Sequence, residues 1–162
     1  MTSIQLREVE IQHLGPGPFI HPENEQFWSS IREHYLRLQR CDRCQTLRFP
    51  VCSNCYNCLA TDHTWEAIEP EGTVATVLSI ERQTIPGTAG VWGQERVTRD
   101  EAWKEAIPYH VALVDMKCGL RLPGRLLCTC RLALKHGTQV QAVVIQTLSG
   151  NPINGFAHEC VL

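Results

Sequence analysis

Two Cys-x-x-Cys pairs, Cys41-Asp42-Arg43-Cys44 and Cys55-Tyr56-Asn57-Cys58, stand ten residues apart. No other feature of the chain restricts its folding so tightly. Each pair turns as a knuckle that aims two sulfurs at one point, and the linker between them closes as a small hairpin. Four thiolates suit a tetrahedral Zn²⁺, whose binding energy then becomes folding energy. A complete set of four leaves no position for water. Cys41, Cys44, Cys55 and Cys58 are therefore expected to hold one structural zinc. Iron in a rubredoxin-like site would use the same ligands.

Cys52 also forms Cys-x-x-Cys with Cys55, so five cysteines compete for four places. The wider pairing leaves room for two short strands between the knuckles, which makes Cys52 the spare. Knuckles favour glycine after their second cysteine, where positive φ is wanted. Here Gln45 and Leu59 occupy those positions.

The cysteines number nine, an odd count, and Met1 to Glu10 carries no apolar leader-like run. Together these point to metal binding in a reducing compartment, with the cytoplasm as the expected location. No apolar stretch approaches membrane-spanning length. A net charge of −2 supplies no global basic field for nucleic acid.

Residues 1–22 begin with the alternation Ile4, Leu6 and break at Gly15-Pro16-Gly17-Pro18, which reads as an extended arm, poorly ordered or laid on a partner. Phe27, Trp28, Ile31 and Tyr35 form the stripe of an amphipathic helix running to about His34, with the aromatic pair in the core. The segment 23–65 is thus a helix plus zinc ribbon, with Thr46 to Pro50 as the outer hairpin and Trp65 covering the metal. Glu66 to Glu71 reads as an acidic linker.

From Gly72 the pattern turns to strands: Thr73–Ile80, Tyr109–Met116, Leu120–Leu122 with Arg125–Cys130 after a Pro123-Gly124 interruption, Gln139–Thr147, and a last one near Phe156. Five strands predict a small Greek-key barrel over 72–162, with the OB-fold the natural candidate. An insertion at 87–106 separates the first two strands. Its half beginning Thr98-Arg99-Asp100-Glu101 carries a capping-box pattern for a short helix. The expected fold is therefore mainly β: an N-terminal helix, a four-cysteine zinc ribbon and a C-terminal five-stranded OB-fold barrel.

The order helix, ribbon, barrel resembles a family of acyl-CoA-associated proteins that pair a rubredoxin-like zinc ribbon with an OB-fold, formerly a domain of unknown function. Phe27-Trp28, Leu38-Gln39-Arg40-Cys41, Phe49-Pro50, Trp65, Gly72-Thr73-Val74 and Ile107-Pro108-Tyr109 carry the likeness. In the family the third cysteine falls six residues after the phenylalanine that matches Phe49, which here is Cys55. Members are typically subunits of thiolase-like or hydratase complexes, and a chain of this length resembles the small zinc-ribbon subunits of thiolase-type complexes such as benzoylsuccinyl-CoA thiolase. The resemblance implies a non-catalytic subunit of an acyltransferase complex, assisting acyl-CoA binding by a thiolase-like partner. Because CoA carries phosphates, Arg82, Arg121 and Arg125, in or beside barrel strands, are the candidate contacts.

No P-loop, nucleophile elbow or Ser-His-Asp ordering is visible. His110, His136 and His158 read as structural or solvated, and Cys118, Cys128 and Cys160 as small apolar residues, with Cys128-x-Cys130 on one strand face. The alternative class is a nucleic-acid module, since ribbons and OB-folds both bind single strands. Trp92, Trp103 and Tyr109 are few stacking platforms for that use.

Overall fold

The computed structural model describes residues 4–12, 15–81, 104–130 and 134–162. Helix α1 spans Glu25–Arg32, with an acid in its first turn and a base in its last, as the helix dipole favours. It ends two residues before the expected His34. His34 takes φ 63°, its N–H bonds to Ile31 O, and Tyr35 N–H reaches back to Ser30 O. That is a Schellman stop with histidine where glycine is usual. The stripe buries Phe27 and Ile31, whereas Trp28 stays half-buried. The expected core pair is therefore split.

Strand β1 (Arg7–Glu8) precedes the helix, and β2 (Arg37–Cys41), β3 (Leu47–Arg48) and β4 (His63–Ala67) follow it. The last three form an antiparallel sheet in the order β3-β2-β4. Glu66 and Ala67, expected in a linker, are instead the end of β4, where the Glu66 carboxylate forms an ion pair with Arg40 of the neighbouring β2.

The barrel consists of β5 (Glu71–Ile80), β6 (Tyr109–Met116), β7 (Arg121–Leu127), β8 (Gln139–Ile145) and β9 (Ile153–Ala157). Its order is β8-β5-β6-β7-β9, and a β8–β9 pairing closes it. All joints are antiparallel except β7–β9, which is parallel with Arg125 opposite Gly155 and Leu127 opposite Ala157. This is the closed OB-fold barrel.

Strand β7 differs from expectation in two ways. It runs straight through Pro123-Gly124, and it stops at Leu127, so Cys128 and Cys130 lie beyond it rather than on one strand face. Pro123 O accepts a bond from Asn154 Nδ2 on the β9 side, so the proline nitrogen faces that side too. It is thus turned away from β6, and the β9 ladder begins only at Arg125, so the missing N–H removes no ladder bond on either side. Gly124 is required for space: a Cβ there would lie 2.7 Å from the Phe156 ring.

Val74, Ala112, Val114, Leu122, Leu126, Val144 and Phe156 fill the barrel. They join Phe27, Ile31, Leu36, Leu38 and Ile68 in one apolar cluster, so ribbon and barrel share a core. The N-terminal arm lies on this same chain. β1 pairs in parallel with β8, Leu6 is buried, and Leu6 N–H bonds to His34 O at 2.7 Å. Residues 104–106 form a helical turn; Arg82 and most of the 87–106 insertion lie outside the described residues. Among the described residues no helix is long and apolar enough to cross a membrane.

Candidate zinc centre and an apolar cavity

The sulfurs of Cys41, Cys44, Cys55 and Cys58 converge within 4.8 Å of one another. The close contacts run between knuckles, Cys41 to Cys58 at 3.5 Å and Cys44 to Cys55 at 3.6 Å, so both pairs serve one point. A tetrahedron with metal–sulfur bonds of about 2.3 Å has edges of about 3.8 Å, close to these separations. The donor set therefore fits a tetrahedral thiophilic ion, and this is a four-cysteine zinc ribbon. Cys52 stands apart from the group: its N–H bonds to Gln39 Oε1 and its carbonyl faces Arg48.

The knuckle geometry is enforced by backbone. Gln45 and Leu59 adopt φ of 60° and 63°, although neither is glycine. Gln45 N–H bonds to Cys41 O and Leu59 N–H to Cys55 O, closing each turn over its own first cysteine. The surroundings pull the thiols in opposite directions. Bonds from the Thr46 hydroxyl and N–H draw Cys44 down to about 5. Cys58, although the Ala60 N–H favours its thiolate, is pushed up to about 12 by burial and the neighbouring sulfurs. Four adjacent thiolates require a cation among them.

Arg48, unnoticed in the sequence, is fully buried behind this ribbon. Its guanidinium spans the two loops that flank the second knuckle, donating to Cys52 O at 3.5 Å, Ser53 O at 3.4 Å, Thr61 O at 3.3 Å and Asp62 O at 2.9 Å. Gln39 and His63 complete the polar network. Gln39 Nε2 lies 3.1 Å from His63 Nε2, and His63 Nδ1 lies 3.0 Å from Thr61 O. An amide nitrogen can only donate, so His63 carries its proton on Nδ1. Trp65 stacks edge-on against His63 at 5.8 Å.

A cavity of about 440 Å³ opens where helix, ribbon loop and barrel meet. Phe27 and Trp28 of α1, Phe49, Pro50 and Val51 of the ribbon loop, and Tyr109, Val111, Gly124 and Arg125 of β6 and β7 line it. Its size is that of a small-molecule site. The walls are mainly apolar, with Asn24, Tyr109, Arg125 and Asn154 as the polar residues among them. Trp28 also lines the cavity, and its Nε1 is a buried N–H without a partner among the described residues. Arg125 lies 5.5 Å from the Tyr109 ring, and burial draws its pKa down while Tyr109 partly offsets that. Burial raises Tyr109 in turn.

The three arginines singled out in the sequence thus differ in setting. Arg125 reaches the cavity. Arg121 is exposed at the start of β7 and held bidentate by Asp115, with bonds of 2.7 and 3.0 Å. Arg82 lies outside the described residues. The structure also gathers Cys130, His158 and Cys160, which the sequence reading left separate. The paired Cys128-x-Cys130 and His158-x-Cys160 spacings were the available signal.

A thiolate-rich ribbon running into a closed five-stranded barrel, with one core between them, defines a ribbon-plus-OB-fold protein. Residues 28–64 match the rubredoxin-like zinc ribbon domain of ChsH2 and residues 65–145 match the C-terminal OB-fold domain of ChsH2; the chain belongs to this family. A probable enoyl-CoA hydratase alpha subunit from Thermomonospora curvata is 30% identical over 139 residues, covering 86% of this chain and 37% of that one. This chain therefore spans little more than a third of that relative. Among solved structures, the Ltp2-ChsH2 (DUF35) aldolase shares the fold at 22% identity, with a TM-score of 0.68 over 87% of this chain and 98% of that one. A DUF35 protein of unknown function from Sulfolobus solfataricus matches at 19% identity and a TM-score of 0.53, covering 85% of this chain and 86% of that one.

Proposed function

We propose that this chain is a non-catalytic, zinc-containing subunit of a thiolase-type acyltransferase complex, binding part of an acyl-CoA and presenting it to a thiolase-like partner that carries out thiolytic C–C cleavage. The observation that carries this reading is the cavity at the ribbon–barrel seam. Apolar walls suit an acyl or pantetheine chain. The half-buried Arg125 on the cavity wall offers charge-assisted hydrogen bonds to a thioester carbonyl, a carboxylate or a CoA phosphate. Membership of a family with an aldolase-complex fold relative, and a curated relative described as an enoyl-CoA hydratase subunit, supports an acyl-CoA setting. In this reading the ribbon metal is Zn²⁺, with the role of holding the loop 49–51 against the cavity. Arg125 is the stronger candidate contact, because it lines the cavity whereas Arg121 is exposed and held bidentate by Asp115.

The nucleic-acid alternative is weakened by the pairing of several described cations: Arg37, Arg40, Lys117 and Arg121 each face a carboxylate. The test is co-purification of a thiolase-like chain from native lysate, followed by acyl-CoA titration of the complex. Arg125→Ala should weaken acyl-CoA affinity about tenfold, as loss of a charge-assisted hydrogen bond worth roughly 1.5 kcal/mol implies. Unchanged affinity removes Arg125 from the site. Absence of any thiolase-like chain refutes the subunit assignment. A coloured, redox-active preparation would replace zinc by iron.

A further inference from the structure

We propose that Cys130, His158 and Cys160 form a second metal site, a three-ligand Zn²⁺ site whose fourth position opens to solvent. The parallel pairing of β7 and β9 creates it. Parallel strands end on the same side, and these two end level, with Leu127 opposite Ala157 and His158 N–H bonded to Leu127 O. Whatever follows each strand is therefore delivered to one place. Beyond β7 that is Cys130, and beyond β9 it is His158-Glu159-Cys160.

The three ligand atoms lie within 4.8 Å of one another. Cys130 Sγ is 3.4 Å from both His158 Nδ1 and Cys160 Sγ. Tetrahedral zinc with sulfur and nitrogen ligands at about 2.3 and 2.05 Å calls for edges of about 3.8 Å (S–S) and 3.6 Å (S–N), so small adjustments admit the ion. The imidazole is correctly poised. Nδ1 is the ring nitrogen that faces the cluster, 3.4 Å from Cys130 Sγ, and an ion held there takes its lone pair in place of the long 3.4 Å contact from Cys160 N–H. Thr129 supports the third ligand from outside: its N–H lies 3.3 Å from Cys160 Sγ and its hydroxyl bonds to Cys160 O. Such outer contacts fix ligand orientation in metal sites.

Two thiolates and an imidazole select Zn²⁺ over hard ions such as Mg²⁺ or Ca²⁺. Here the charges of two thiolates cancel those of the ion, unlike the four-thiolate ribbon site. A neutral three-ligand centre accepts water, hydroxide or an external thiolate as its fourth ligand. Cys160 is exposed and His158 buried, so the vacant coordination direction lies toward solvent. Cys128 does not belong to the group; it packs against the core. The proposal is independent of the acyl-CoA reading.

The experiment is zinc stoichiometry of reduced, anaerobically purified protein, equilibrated with excess Zn²⁺ and freed of loose metal by gel filtration. Wild type should hold a second zinc beside that of the ribbon. Cys160→Ser and His158→Gln should each lose that zinc alone, and Cys128→Ser should keep it. Wild type with only the ribbon zinc, or Cys160→Ser with as much metal as wild type, overturns the site. So does a Cys130–Cys160 disulfide found by peptide mass in the zinc-saturated reduced protein. Should the variants fail to fold, Co²⁺ added to wild type whose ribbon already holds zinc decides the matter. Thiolate-to-cobalt charge transfer with tetrahedral d–d bands supports the site, and oxygen-only octahedral cobalt overturns it.

Discussion

Gly124→Ala tests the packing that joins cavity to core. An ideal Cβ at 124 would stand 2.7 and 2.8 Å from two carbons of the Phe156 ring and 3.4 Å from Asn154 Nδ2. Carbon contacts settle near 3.5–4.0 Å, so the ring must retreat by roughly 0.8 Å or the strands must part. Phe156 is 0% exposed and in register with Leu126, which leaves it nowhere to go. Overpacking of this kind costs about 1–3 kcal/mol. Relief of glycine's backbone entropy in a strand returns about 0.5–1 kcal/mol. A net loss of about 1–2 kcal/mol is expected, or about 3–6 °C in Tm for a chain of this size. Urea unfolding of the zinc-saturated protein measures it. A double-mutant cycle with Phe156→Leu identifies the cause: the smaller side chain should make room for the methyl, so the double variant should lose less than the sum of the singles. A Gly124→Ala protein as stable as wild type, or strict additivity with Phe156→Leu, refutes the steric argument. Because Gly124 and Arg125 share the cavity wall, the same variant should also weaken acyl-CoA binding in the complex.

Leu59 is exposed, yet Leu59→Val should cost about 1 kcal/mol, because a β-branched residue resists the φ of 63° that closes the knuckle. Leu59→Gly should be neutral or slightly stabilising in the same denaturation assay; equal stability of all three proteins would discount the knuckle strain. Arg48→Met removes the donor that ties both loops around Cys55 and should cost about 2–3 kcal/mol, with faster zinc loss to a chelator. Unchanged zinc retention would show that the loops hold themselves. Glu66, whose carboxyl the Arg40 hydrogen bond holds below the ordinary range, has a depressed folded-state pKa. Its small contribution, a few tenths of a kcal/mol for a partly exposed pair, is present above the unfolded carboxyl pKa and lost as pH falls through the folded one. Glu66→Gln should therefore trail wild type slightly at neutral pH and meet it in acid. A carboxyl NMR titration in which Glu66 behaves ordinarily would show that the pair does not persist.

What the sequence determined by itself is what depends on short spacing. Two Cys-x-x-Cys pairs specify a four-thiolate ribbon because the ligands are neighbours along the chain and few backbone paths join them. Runs of β-branched residues such as Thr73 to Ile80 specify strands because alternation is local. The departures arise where distant segments meet. Pro123-Gly124 reads as a break, but only the β9 pairing, starting at Arg125, reveals that the proline nitrogen loses no partner. The arm with Leu6 reads as loose, and only the free edge of β8 gives it a seat. Arg121 and Arg125 are indistinguishable in sequence; Asp115 across the β6–β7 ladder claims one, and the helix and ribbon packing turn the other into a cavity wall. Cys130, His158 and Cys160 read as unrelated, and they converge because closing the barrel makes β7 and β9 parallel neighbours that end together. Strand neighbours, and so the contacts at strand ends, are set by how a closed sheet satisfies all its edges at once, and that condition belongs to the tertiary structure alone.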